Sequence, residues 1–203
     1  MSHRERLIEG ALECLQTKGY ARTTARDIAS AADASLASIA YHFGSKEALL
    51  NAALLRASQR WTEQLGAQAL SQDTVDPLAR AAAAYEAAMQ AFAQSSGYRR
   101  LLASFLEATA QATDAPELRK QLADHYQAMR DIVAEVVRAT LGPKAERQGT
   151  DPDAIASFLI AVYDGLVIQT LLDPHAVPDA PRLVSSMTAA LARSSKANAR
   201  RST

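Results

Sequence analysis

The chain has 203 residues, of which 48% are hydrophobic, and its 22 basic and 22 acidic side chains give a formal net charge of zero. Alanine, the best helix former, supplies 44 of the residues and favours an all-α fold. The single cysteine, Cys14, excludes an intrachain disulfide framework and a multi-cysteine zinc site.

The first 76 residues contain no proline and predict four short helices. Each predicted helix begins at a side chain that accepts a hydrogen bond from the first turn. These starting residues are Ser2 with Glu5, Thr24 with Asp27, Ser35, and Ser45. Gly19 and Gly44 predict the ends of the first and third helices, because glycine often terminates a helix. The second and third helices, around residues 24–42, are joined by a tight turn and form a helix-turn-helix candidate.

The rest of the chain predicts longer helices separated by segments that contain proline. One begins at Pro116, one spans about 153–172, and the last begins near Pro181. The apolar residues of 153–172 occupy more than one face, so we expect this helix to be covered on several sides. The N-terminus shows no secretory signal, and the longest strongly apolar run, 158–162, is far shorter than the roughly 20 residues of a membrane span. We therefore expect a cytoplasmic protein without a membrane segment.

The neutral total charge is a cancellation between segments. Residues 1–60 carry a net charge of +2, residues 61–181 carry −7, and residues 182–203 carry +5. Phosphate binding needs locally concentrated positive charge, so the acidic middle is a poor DNA surface and the first segment a better one. The polar, basic tail is expected to fray from Arg193 and to be disordered over 196–203.

Several motifs of the first segment occur together in one known family. They are, in chain order, Gly19-Tyr20, Thr23-Thr24, Ile28-Ala29, Tyr41-His42-Phe43, Ser45-Lys46-Glu47 and Leu49-Leu50. With this combination the chain resembles the TetR family of bacterial transcriptional repressors, densely over about residues 5–55 and more loosely over 75–195. The resemblance implies a three-helix helix-turn-helix DNA-binding domain over 1–45 and a helical effector-binding and dimerisation domain over 46–195.

The third helix would enter the major groove of DNA. We expect Ile39 and Phe43 on its buried side, whereas Tyr41 could be either a core aromatic or part of the opposite face. That face would present short or neutral side chains to the bases: Leu36, Ala37, Ser38 and Tyr41. Ser38 can hydrogen-bond a base or a phosphate, and Leu36 or Ala37 can contact a thymine methyl group.

The resemblance also places contacts to DNA phosphates. These fall at Thr24 or Arg26, Tyr41, His42 and Lys46, and Ser35 completes the candidate surface. For His42 and Lys46 the alternatives are a structural histidine and a solvated surface charge. The helix has no Arg, Asn or Gln between Leu36 and His42, so we expect specificity from Arg26, Ser38, apolar contacts and DNA shape.

Two positions depart from the family pattern. Asp33 stands in the turn where the family often has glycine, and aspartate tolerates a left-handed backbone better than most residues. Ala40 stands where the family commonly has an aromatic residue that contacts phosphate. We expect the turn to form despite the first departure.

The resemblance implies that the last two long helices, within residues 153–195, form a homodimer. It also implies an effector cavity among the helices of residues 60–170, lined by larger apolar side chains and two polar ones. The candidates are Tyr85, Met89, Phe92, Phe105, His125, Tyr126, Met129, Tyr163 and Gln169. Such a lining favours an apolar or aromatic small molecule, although the same side chains could simply form a core.

The sequence contains no recognisable catalytic signature and no metal-ligand spacing among its histidines. We therefore expect a regulator that is not an enzyme and that needs no cofactor or metal. Two alternatives remain open. The chain could be a helical small-molecule carrier or enzyme with a helix-turn-helix-like N-terminal domain, or a DNA-binding dimer without an effector.

Overall fold

A computed structural model describes residues 1–71, 77–173, 175 and 177–201. These residues form ten α-helices and no β-strand, which confirms the all-α class. The helices are α1 His3–Lys18, α2 Ala25–Ala31, α3 Leu36–Phe43, α4 Lys46–Ser71, α5 Pro77–Gln94, α6 Ser96–Gln111, α7 Pro116–Leu141, α8 Pro143–Arg147, α9 Pro152–Leu172 and α10 Ala180–Arg201.

The predicted helix starts are confirmed by the hydrogen bonds of the first turns. Ser2 Oγ accepts from the Glu5 N–H at 3.2 Å, and the Glu5 carboxylate accepts from the Ser2 N–H at 2.7 Å. Ser45 Oγ accepts from the N–H of Ala48 at 3.0 Å at the start of α4. Gly19 and Gly44 follow α1 and α3 with φ of +81° and +77°, angles that favour glycine.

The chain divides into two compact units, of which the first comprises Met1–Gln64 and Ala91–Ile132. In this unit α1 packs against α2, α3 and α6. Its core contains five fully buried large aliphatic residues: Leu7, Leu15, Ile28, Leu49 and Leu50. This core holds α2 and α3 on α1. It also includes Ala108 of α6, so the packing does not separate residues 1–45 from the later helices.

The second unit comprises Leu65–Gln90 and Val133–Thr203. One face of α9 is buried in it, through Ala156, Ile160, Val167 and Thr170. The opposite face is apolar but open, with Phe158 56% and Leu172 83% exposed. Among the described residues α9 is therefore covered on one side, and cover of its other faces stays a prediction.

Helix α9 also meets the length and hydropathy of a membrane span, with a mean hydropathy of 1.8 over 18 residues. This corrects the sequence-based expectation that no apolar segment is long enough. The expectation considered an unbroken run of large apolar residues, but alanines between them also raise the mean. The buried face and Asp164 near the middle of α9 are typical of a helix in a protein core or interface.

Helix α10 continues to Arg201, beyond the predicted fraying point at Arg193. The segment is rich in alanine, arginine and lysine, which have high helix propensity and therefore favour continuation. The disorder of residues 196–203 stays a prediction.

Candidate DNA-binding surface

The turn between α2 and α3 is built by local hydrogen bonds. Thr24 begins α2 with a reciprocal cap, in which its Oγ1 accepts from the Asp27 N–H at 3.2 Å. After α2 the chain reverses at Asp33, whose φ of +46° is left-handed. Ser35 then caps α3 by accepting from the Ser38 N–H at 3.2 Å. The turn therefore forms with aspartate at position 33, as predicted.

Helix α3 has one buried side and one open side. Ile39 is 3% exposed, and the half-buried Phe43 packs against the same core, so both residues lie as predicted. The open side carries Leu36, Ala37, Ala40 and Tyr41, all exposed, and Tyr41 reaches 85% exposure. A ridge of short side chains beside an exposed phenol lets a helix approach base edges closely.

Three polar residues of α3 and its cap lie beside this open side. Ser35 Oγ and Ser38 Oγ are 2.9 Å apart, so the two hydroxyls share a hydrogen bond. The rings of Tyr41 and His42 meet edge to face, with centroids 4.9 Å apart. The half-buried His42 thus contacts the exposed ring of Tyr41.

Lys46 has a structural partner as well as a candidate DNA contact. Its Nζ donates to the backbone carbonyl of Thr23 at 3.1 Å and lies 3.3 Å from Glu47 Oε1. Lys46 thus links the start of α4 to the segment before α2. It is half-buried, and an ammonium group has three donors, so a phosphate can still be reached by a remaining one.

Thr24 and Arg26 lie exposed at the start of α2. The Thr24 hydroxyl donates to Asp27 Oδ2 at 2.7 Å, so its proton is engaged in the cap. Hydrogen bonds from Lys18 and Thr24 hold the pKa of Asp27 well below its usual range. The ionised Asp27 offsets the charge of Lys18 at the end of α1, and Arg26 is the basic residue of α2 itself.

Two residues that the sequence analysis did not select belong to the same surface. The Arg4 guanidinium lies over the Phe43 ring, 5.1 Å from its centroid, and connects the start of α1 to the end of α3. Ala40 is exposed between Ala37 and Tyr41. Helical spacing could have placed Ala40 on the open side of α3. No sequence motif indicates the contact between Arg4 and Phe43.

The candidate effector residues fall into different parts of the fold. Phe105, His125 and Tyr126 form a cluster in the first unit, with ring centroids 5.8 to 6.4 Å apart. Phe92 belongs to the same unit and is 3% exposed beneath Arg99. The remaining candidates are Tyr85, Met89, Tyr163 and Gln169 of the second unit, and Met129, half-buried on α7.

In the second unit three of these side chains have partners within the chain. Tyr85 Oη donates to the Pro178 carbonyl at 3.3 Å, and Thr170 Oγ1 donates to Met89 Sδ at 3.6 Å. Gln169 is exposed and donates to the Gly165 carbonyl of its own helix at 3.2 Å. Gln169 therefore lies on the open side of α9.

His125 is the buried polar centre of the aromatic cluster. It is 8% exposed, and its Nε2 lies 2.8 Å from Ser58 Oγ of α4, a residue that sequence reasoning missed. Burial lowers the pKa of His125, so the ring is neutral near pH 7. The cluster thus combines three aromatic rings with one uncharged hydrogen-bonding pair.

Two further features of the described part of the chain concern metal binding and the single cysteine. No group of three or more His, Cys, Asp or Glu residues there is arranged to hold a metal ion. Cys14 is buried in α1, and burial raises the pKa of its thiol, so the reactive thiolate is disfavoured.

Two family models match the chain. Residues 7–53 match the bacterial regulatory proteins of the tetR family, and residues 77–194 match the C-terminal domain of the BetI-type transcriptional repressors. The second match alone spans more than half of the chain. No curated protein sequence gives a significant match.

Solved structures are similar over nearly the whole length. A transcriptional regulator from Pseudomonas aeruginosa PAO1 is 25% identical over 98% of this chain and 92% of its own, with a TM-score of 0.66. One from Saccharomonospora viridis, in complex with choline, is 25% identical over 91% and 93%, with a TM-score of 0.61. The multidrug binding protein EbrR, complexed with imidazole, is 26% identical over 93% and 94%, with a TM-score of 0.66.

Proposed function

Because the chain belongs to the TetR family of bacterial regulatory proteins, we propose that it is a homodimeric, cytoplasmic repressor that a small molecule releases from a palindromic operator. The observation that carries this proposal is the open side of α3. Ile39 anchors the helix in the core, while Ala37, Ala40 and Tyr41 face solvent.

In this proposal α3 lies in the major groove and its flanks bind the DNA backbone. Leu36 and Ala37 contact thymine methyl groups, and Ser38 hydrogen-bonds a base edge or a phosphate. The phosphates are bound by a second set of residues on and around the helix-turn-helix: Thr24, Arg26, Ser35, Tyr41, His42 and Lys46. The small net charge of the first segment makes two copies of this surface necessary for tight binding.

A salt titration tests the phosphate contacts. Tyr41→Ala and Lys46→Ala should weaken binding to every DNA sequence, and Lys46→Ala should lower the slope of log K against log salt by about 1. Arg119→Gln, which removes an exposed charge from α7, should leave affinity and slope unchanged. Wild-type affinity and slope in both surface variants would remove Tyr41 and Lys46 from the interface.

The open apolar face of α9 supports the dimer. Phe158, Val162 and Leu172 recur at about helical spacing on this face, opposite the buried Ile160 and Val167. Exposed apolar stripes of this kind are typical of helices that pack against a partner. A second copy with the same stripe would bury it through a two-fold interface.

Sedimentation velocity tests the dimer directly. Phe158→Glu should convert it to a monomer, because a carboxylate would be buried in an apolar contact. Ala123→Glu adds the same charge at an exposed position of α7 and should leave the dimer intact. A monomeric wild type, or a dimeric Phe158→Glu variant, would exclude this interface.

The aromatic cluster around His125 supports an apolar or aromatic effector. Aromatic faces bind organic cations and flat rings, and the neutral Ser58–His125 pair adds one directional hydrogen bond. The relatives that bind choline and imidazole make these two molecules the first probes to test.

Thermal denaturation with choline and imidazole tests the effector site. A ligand at about 100 times its dissociation constant adds about 2.7 kcal/mol of stability. We expect a rise in Tm with at least one member of a panel of organic cations and aromatic bases that includes both probes, and loss of this rise in Phe105→Ala. A flat response across the whole panel would favour a DNA-binding dimer without an effector.

A further inference from the structure

A surface cavity of about 200 Å³ lies in the first unit between the α1–α2 connection and α6. One wall is the segment 18–22, and the other is a single face of α6 that carries Arg100, Ser104 and Glu107. None of these residues belongs to the proposed DNA surface or to the cluster around His125. The cavity is therefore separate from both proposed sites.

Ser104 is the buried polar group of this cavity. The residue is 2% exposed and lines the cavity, and its hydroxyl has no hydrogen-bond partner among the described residues. A serine in a helix commonly donates to the carbonyl four residues earlier. The Ser104 hydroxyl makes no such bond, so it is available to donate to a molecule in the cavity that it lines.

The charges around Ser104 have both signs. Arg100, Ser104 and Glu107 follow each other on α6, so the hydroxyl lies between a cation and a carboxylate along about 10 Å of helix axis. Arg22 lines the opposite wall. The ammonium of Lys18 is paired with Asp27 at 2.5 Å, which offsets its charge.

Both arginines keep donors for a ligand. Arg22 Nε donates to the Lys18 carbonyl at 3.0 Å, and Arg100 Nη1 donates to the Gln16 carbonyl at 2.9 Å. Arg100 Nη1 also lies 3.4 Å from Ser96 Oγ. A guanidinium has five N–H donors, so each arginine can also bind a carboxylate.

We propose that this cavity binds a small zwitterion of the α-amino-acid class. The arginines take the carboxylate, Glu107 takes the ammonium group, and Ser104 donates to the bound carboxylate. A simple anion would face the charge of Glu107, and a simple cation would face the two guanidinium groups. The volume is below the roughly 300 Å³ of the smallest usual ligand pockets, so the ligand is small.

The location connects this site to the DNA-binding helices. Tyr20 lines the cavity, and its hydroxyl donates to Asn51 Oδ1 of α4 at 2.9 Å. A zwitterion bound to both Arg22 and α6 adds a contact between α6 and the segment before α2. Coupling between this cavity and the DNA-binding surface would let the bound zwitterion change DNA affinity, and that effect rests on the proposed function.

Nuclear magnetic resonance of the full-length, nitrogen-15-labelled chain without DNA tests the site. The probes are glycine, L-alanine and L-serine, with acetate and methylammonium as the separate charged halves. We expect saturable shifts of the backbone amides of 19–22 and 103–107 with the amino acids, and shifts with acetate or methylammonium only at roughly tenfold higher concentration.

Three variants decide whether the lining residues bind the probe. Ser104→Ala and Arg100→Gln should each weaken binding about tenfold, as expected for a hydrogen bond to a charged group. Arg119→Gln should bind like the wild type, and the spread of amide signals reports whether each variant is folded. No saturable shift, an equal response to acetate, or wild-type affinity in both lining variants would overturn the proposal. Because no DNA is present, these results are independent of the proposed repressor function.

Discussion

Gly10 of α1 lies directly against Ala32, the residue that follows α2. A methyl group on Gly10 would come within 2.8 Å of the Ala32 backbone nitrogen and 2.9 Å of its Cβ. Glycine in the middle of a helix costs about 0.5–1 kcal/mol relative to alanine, so close packing is the reason for it here. The end of α2, the first helix of the helix-turn-helix, thus packs against α1 at a glycine, where α1 has no side chain.

Gly10→Ala should therefore destabilise the protein although alanine is the better helix former. We expect a loss of about 1–3 kcal/mol, because backbone atoms of Ala32 would have to move. Gly97→Ala is the matched control, since the nearest atom to its added methyl group would be Gln16 Cβ at 3.3 Å, a milder contact than the 2.8 Å at Gly10. Urea denaturation measures both variants, and a Gly10→Ala protein as stable as the wild type would show that the contact is loose.

Tyr20→Phe should cost about 1–2 kcal/mol of stability. The phenol donates to Asn51 Oδ1 at 2.9 Å in a buried site, so its removal leaves the amide oxygen without that donor. Tyr85→Phe is a useful comparison, because its longer bond of 3.3 Å to a carbonyl should contribute less. Equal losses of stability in the two variants would show that the Tyr20–Asn51 bond contributes no more than the Tyr85–Pro178 bond.

Asp27→Asn should lower stability at neutral pH and lose its effect in acid. The hydrogen bonds from Lys18 and Thr24 lower the pKa of Asp27 in the folded chain. A lowered pKa means that the carboxylate stabilises the fold fully above the unfolded-state pKa of about 3.9, and that this contribution is lost as the pH falls further. The difference between wild type and variant should thus be constant from about pH 7 to 5 and shrink below about pH 4.

The control for this pH series is Asp124→Asn, which removes the exposed i,i+4 pair with Lys120. Exposed pairs contribute little, so this variant should be nearly as stable as the wild type at every pH. A gap between Asp27→Asn and wild type that persists unchanged into acid would contradict the assigned role of the carboxylate.

Arg4 should position α3 through the Phe43 ring rather than by binding phosphate. Arg4→Met removes the cation–π contact and should cost about 0.5–1 kcal/mol of stability. DNA affinity should fall slightly while the slope of log K against log salt is unchanged. A slope reduced by about 1 would instead identify Arg4 as a phosphate contact.

Local chemistry in the sequence predicted much of the DNA-binding region. The caps at Ser2, Thr24 and Ser35 and the turn at Asp33 depend on residues within three or four positions, so the sequence contains the necessary information. The expected core-facing positions of Ile39, which is buried, and Phe43, which is half-buried, are also confirmed.

The contacts between distant residues could not be predicted in this way. Lys46 binds a carbonyl 23 residues earlier, and Ser58 meets His125 across 67 residues. Alanine-rich helices also blur the apolar pattern that would indicate which faces meet. Gln169, an effector candidate from the sequence, lies exposed on α9, and its role stays a prediction.

Selection of genomic DNA fragments by the purified full-length protein tests the central claim most directly. We predict enrichment of a palindromic sequence by the wild type and loss of that enrichment in Tyr41→Ala, with Arg119→Gln selecting the same sequence as the wild type. Failure of the folded wild-type protein to enrich any sequence at low salt would contradict the account.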